Sequence, residues 1–358
     1  MSIVYLLKMD VNYDYSAAFK GISVKLKKRF LRKPNVSDAI EEYTALSKQL
    51  ESEECYSLAG YCLQQVAKCY HSVGNTVSES AALQNAAKQY LNSEISTTIE
   101  AGILNFNENL ISAISLYEEA IRLHCDQNER LIAAKLCLEL ADILAQKFDK
   151  HFESIPYYER AFGLFSTPNE STNSLSAIFV LFKLAAIKVF TCDYSGALST
   201  YTDICNSILN KCLQSAPMST SSNKEDYLLT SQQNQMYNKP IGIYSHLLVE
   251  ADISKLLLLL YLKPTKMKPE HSNTIEVYSW FQTLSNANTN YMPVLLMDRD
   301  LFILLQSFVM SCQSNDLKLL NTLQTDLWPL LNDVHNFLLN LITDQLLNSS
   351  YTDDLLFQ

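Results

Sequence analysis

Three tyrosines constrain this chain most: Tyr117, Tyr158 and Tyr201 stand 41 and 43 residues apart. A small residue precedes each by four positions, and a small or apolar one follows it by three. The sets are Ala113 and Ala120, Ser154 and Ala161, Ala197 and Ile204. Offsets of four and three place the members of each set on one helix face. Small residues there let a neighbouring helix approach closely, while the tyrosine fills the gap and keeps its hydroxyl near the edge. Recurrence at this period marks stacked supersecondary units, none of which buries its apolar face alone. Ala113, Tyr117, Ala120, Tyr158, Ala161, Ala197 and Tyr201 are therefore expected in the repeat core.

Each marked helix has a predicted helical partner before it. Glu129 to Phe148 carries Ile132, Leu136, Leu140, Ile143, Leu144 and Phe148 as one stripe, beside Ala134, Ala141 and Ala145. Ile178 to Phe190 repeats the arrangement with Leu181, Leu184, Ala185 and Ile187. Asp149-Lys150 and Asp193-Tyr194-Ser195-Gly196 punctuate the pairs as turns. The spacing resembles that of tetratricopeptide repeats, in a longer and degenerate form. The predicted fold is all-α, a tetratricopeptide-like right-handed α-solenoid of antiparallel helix pairs. Scarce Gly (7) and Pro (9) favour helix over sheet.

Around this centre the sequence divides into a weakly ordered start (1–15), helical repeats (16–213), a Ser/Gln/Asn-rich insert (214–240), further helices continuous with the first set (241–348) and an acidic tail (349–358). Ser37 is expected to cap the helix that follows Pro34. Leu256 to Leu262 is strongly apolar, but Lys255 and Lys263 bracket it. A membrane span needs about 20 residues, so this run is expected to be a buried helix.

The charge is uneven. Residues 1–33 hold eight basic side chains against two aspartates, whereas 298–358 holds eight aspartates against Arg299 and Lys318. The overall charge of −10 argues against a general nucleic-acid binder. Candidate partner-binding residues are Lys27, Lys28, Arg29, Arg32 and Lys33 at the basic start, and Asp316, Asp326, Asp333 and Asp344 at the acidic end.

Chemistry-bearing motifs are missing from the sequence. There is no Gly-rich phosphate loop, G-x-S-x-G or H-E-x-x-H. Cys55, Cys62 and Cys69 recur at intervals of seven, about 10 Å apart along a helix, unlike the short gaps of zinc ligands. They are expected to pack in the core as reduced thiols. His124 and Cys125 are adjacent on a helix and point apart, as do Glu118 and Glu119. The sequence predicts no enzymatic activity, no cofactor and no metal.

Several stretches together resemble one family, that of the 40-kDa huntingtin-associated protein. They are the run from Lys25 to Val36; Leu256 to Leu260 with Pro269-Glu270-His271 and Tyr278-Ser279-Trp280; Leu304-Leu305-Gln306-Ser307 with Val309-Met310; and Trp328-Pro329-Leu330-Leu331. Divergence between them marks a distant member, as expected of an invertebrate sequence. The resemblance implies a helical, non-enzymatic partner of huntingtin. It would form a heterodimer by packing between the HEAT-repeat domains and against the bridge domain. It also implies a link through that complex to the small GTPase Rab5, to early endosomes and to vesicle motility, in a protein that is otherwise cytoplasmic or nuclear. Met1 to Tyr15 and Gln214 to Lys239 lack the Gly/Ala-rich leader and Pro-rich insert of that family. A general trafficking adaptor of the soluble NSF attachment protein type is the second expectation.

Overall fold

The computed structural model describes residues 14–26, 35–100, 102, 106–166, 174–214, 242–266, 268–279 and 291–356. Among the described residues there are helices and connections and no strand. The helices gather into two compact units that divide after Ser174.

Among the described residues, the first unit holds seven helices: α1 Tyr15–Leu26, α2 Val36–Ser52, α3 Tyr56–Val73, α4 Thr76–Glu94, α5 Glu108–Asp126, α6 Arg130–Lys147 and α7 His151–Phe165. Each packs on the next in chain order, as short connections between amphipathic helices dictate. Local chemistry sets the turns. Gly74 takes a left-handed conformation (φ 75°) after α3. Its N–H and that of Asn75 donate to the carbonyls of His71 and Tyr70, and the Asn75 side chain then caps α4. Asn35, not Ser37, caps α2, because its side chain accepts from the Asp38 N–H. The helix has already begun at Val36, so Ser37 lies inside the first turn. α4 ends in a π-helical turn, Ile95–Glu100, which the sequence pattern did not indicate.

Alanine faces seat these helices. Ala86 and Ala87 of α4 and Ala133, Ala134 and Ala141 of α6 are fully buried. Gly60 of α3 serves the same end, since a Cβ there would lie 3.1 Å from the Tyr90 ring of α4. On α6 the buried stripe comprises Ala133, Leu136, Cys137, Leu140 and Leu144. Ile132 leaves the predicted stripe and is 43% exposed, because Ala133 and Ala134 take the packed face at the start of α6 and Ile132 lies to one side of it.

The second unit holds α8 Ser174–Phe190, α9 Tyr194–Gln214, α10 Ile243–Leu262, α11 Pro269–Ser279, α12 Met292–Leu296, α13 Arg299–Ser314, α14 Leu317–Leu327 with a 3₁₀ turn at Trp328–Leu330, and α15 Asp333–Leu356. Asp193 accepts from the Gly196 N–H at 2.9 Å and so starts α9. Packing here is not purely sequential: α10 touches α9, α11, α12 and α15. Surrounded in this way, its residues Ala251 to Leu260 are all buried, which explains the uninterrupted apolar run. No helix among the described residues is long and apolar enough to cross a membrane. α15 continues through Leu356.

Candidate partner-binding surface

The repeat tyrosines occupy the interior. Tyr117 is fully buried, and Tyr158 and Tyr201 are each 2% exposed. Their small neighbours Ala113, Ala120, Ser154, Ala161 and Ala197 are at 0%. Each hydroxyl in the first unit ends on a carboxylate of α6. Tyr117 Oη donates to Glu139 at 2.9 Å and Tyr158 Oη to Asp142 at 2.7 Å. Burial, followed by the adjoining carboxylates, raises the pKa of both phenols. They therefore stay protonated and donating. Tyr201 lies edge-on to Phe182 with ring centroids 6.0 Å apart.

The first unit also contains a serine–histidine–glutamate chain. Ser80 Oγ lies 2.7 Å from His124 Nε2, and His124 Nδ1 lies 2.6 Å from Glu129 Oε2. These are the contact distances of a nucleophile, its base and an orienting acid. Ser80 is 2% exposed and His124 7%, so no substrate reaches the hydroxyl. The chain fastens the α5–α6 turn to α4. Cys62 and Cys69 are buried in α3, and Cys55 is buried at its N-cap. Desolvation raises the Cys62 thiol to about 11, so it stays protonated in the core. No group of three or more potential ligands capable of holding a metal occurs among the described residues.

The second unit buries ionisable groups. Asp252 of α10 is inaccessible and Lys255 is 5% exposed, with Lys255 Nζ 3.6 Å from Asp252 Oδ1. Tyr278 Oη donates to Asp252 Oδ2 at 3.1 Å, and Tyr291 Oη donates to Oδ1. Burial raises the Asp252 carboxyl, and Lys255 and the two tyrosines oppose that rise. The network pins α11 and the segment before α12 onto α10.

The predicted partner-binding residues fare differently. Lys27, Lys28, Arg29, Arg32 and Lys33 lie outside the described residues, as do positions 215–240 of the insert. Asp316, Asp326, Asp333 and Asp344 are all exposed. Asp316 has a second job, capping α14 through the Leu319 N–H at 3.2 Å. Asp326 and Asp333 flank the α14–α15 turn. Asp344 follows Thr343, whose hydroxyl donates to Gln324 of α14 at 3.3 Å.

Between Asp326 and Asp333 the chain presents Trp328 and Leu330, 46% and 52% exposed. The turn behind them is fixed. Asn336 Nδ2 donates to the Trp328 carbonyl at 3.1 Å, and Asn332 Nδ2 to Glu250 Oε1 of α10 at 2.8 Å. His335 Nε2 lies 2.8 Å from Ser254 Oγ and 3.2 Å from the Glu250 carbonyl. Because Ser254 donates to that same carbonyl, His335 carries its proton on Nε2. Burial holds its pKa at about 4. In the sequence, Trp328 stands out only within the stretch that carries the family resemblance. A Trp-Pro pair between two amphipathic helices is the signal that could have marked an exposed turn.

The sequence profile of the family described as Soluble NSF attachment protein, SNAP matches residues 25–230. The 40-kDa huntingtin-associated protein of Rattus norvegicus is 30% identical over 94% of both chains, and that of Mus musculus is 30% identical with the same coverage. The two family expectations are thus not rivals. The profile spans more than half of the chain, including the tyrosine repeats, and the rodent identity runs across both compact units: the chain belongs to the soluble NSF attachment protein family and is a member of the 40-kDa huntingtin-associated protein type.

Proposed function

We propose that the chain is a non-enzymatic binding partner of huntingtin. The observation that carries this reading is the 30% identity, over 94% of both chains, to proteins named for that association. In this reading it forms a heterodimer by packing between the HEAT-repeat domains and the bridge domain of huntingtin. The complex operates in the cytoplasm and is brought by the small GTPase Rab5 to early endosomes. The exposed carboxylates at Asp316, Asp326, Asp333 and Asp344 face a basic region of the partner, the bridge domain by preference. The basic residues from Lys27 to Lys33 form a second candidate contact.

Charge steering acts mainly on association rate, and the Debye length falls to about 3 Å at 1 M salt. Replacing the four aspartates with asparagine should slow association with purified huntingtin and flatten its salt dependence. Asparagine retains the cap at position 316, so the melting temperature should hold. Association at the wild-type rate across a salt series would reduce the acidic end to a solvated surface.

A further inference from the structure

The geometry points to the Trp328–Pro329–Leu330 turn as the apolar anchor of the partner interface, fitting a hydrophobic pocket bordered by lysine or arginine side chains on the bound protein. This rests on the binding reading above and adds what the carboxylates alone do not supply, a contact that holds the complex once formed.

Half of the Trp328 side chain and half of that of Leu330 remain in water, on a turn held by the side chains of Asn332 and Asn336. A large aromatic kept exposed on a rigid turn loses little conformational freedom on binding. Tryptophan is also the side chain most often found at the energetic centre of interfaces. The surroundings select the partner. Asp326 stands two residues before Trp328 and Asp333 three residues after Leu330, both exposed. No basic residue lies between them in the sequence. A second copy of this chain would bring four carboxylates together around the two tryptophans, which disfavours self-association. A pocket rimmed by cations satisfies both the indole and its acidic border.

The test is the dissociation rate from purified huntingtin for Trp328→Ala and Leu330→Ser, each in the full chain. Anchors act on dissociation. Both variants should leave about tenfold or more faster than wild type, with association rate and salt dependence unchanged, and Trp328→Phe should recover part of the loss. Leu330→Ser carries the test should Trp328→Ala fold poorly. If the wild-type chain binds and both variants dissociate at its rate, the anchor is overturned while the binding reading stands. If the wild-type chain itself does not bind, both are overturned.

Discussion

Truncating Tyr117 separates packing from hydrogen bonding in the repeat core. The side chain is fully buried, and its hydroxyl meets Glu139 at 2.9 Å. Removing it to alanine deletes an aromatic that buries upwards of about 150 Å², worth roughly 4 kcal/mol at 25 cal/mol per Å². Partial collapse of the cavity leaves an expected cost of about 3–5 kcal/mol. Tyr117→Phe removes only the hydroxyl. The Glu139 side chain is 41% exposed and turns to water, so this variant should lose about 1 kcal/mol. Urea unfolding followed by circular dichroism measures both. In the melting temperature the alanine variant should fall by about 10 °C for a unit of this size. The same order, alanine far below phenylalanine, is expected at Tyr158 with Asp142. A cost below about 1 kcal/mol for both alanine variants would refute the repeat register. A phenylalanine variant as damaged as the alanine one would show that the hydroxyl, not the ring, holds the repeat.

Other perturbations probe the second unit and the caps. Burial holds His335 at about 4, below the roughly 6.5 of an exposed histidine. The unfolded chain therefore takes up a proton that the folded chain refuses. Stability present above pH 6.5 should fall by about 1.4 kcal/mol per unit as the pH drops towards 4. Burial of Glu250 and Asp252 raises their pKa values and works in the opposite direction, so the measurement is the difference between wild type and His335→Gln across that window. Lys255→Met should cost about 3–5 kcal/mol by stranding the Asp252 carboxylate, and adding Asp252→Asn should restore much of it, as read by denaturant midpoints. Asn35→Ala should cost about 1 kcal/mol by thermal melting while Ser37→Ala stays within about half of that.

Local pattern reached much of this fold but little of its polar interior. The tyrosine spacing pointed to the helices around Tyr117, Tyr158 and Tyr201, because four- and three-residue offsets are fixed by helix geometry. Side-chain periodicity distinguishes a face from its opposite, but not one turn from the next. The cap of α2 therefore falls at Asn35, two residues before the expected Ser37, and Ile132, at the edge of its stripe, lies beside the packed face and not within it. The Asp252 network was illegible for a different reason. Its partners Tyr278 and Tyr291 lie 26 and 39 residues further along, and only the tertiary fold brings them to α10. His335 and Ser254, 81 residues apart, pose the same problem. On the surface, the aspartates could be read as exposed from composition. The Trp328 turn between them is only half legible: the Trp-Pro pair marks a turn, but a tryptophan beside leucines reads as core until its neighbours are seen to leave it half in water.

The proposed one-to-one complex with huntingtin is measured by co-expressing the two chains and determining mass by light scattering on a size-exclusion column. A stoichiometric complex gives a single species with the summed mass of one copy of each, persisting at physiological salt. Separate elution of the two chains at both low and physiological salt would contradict it.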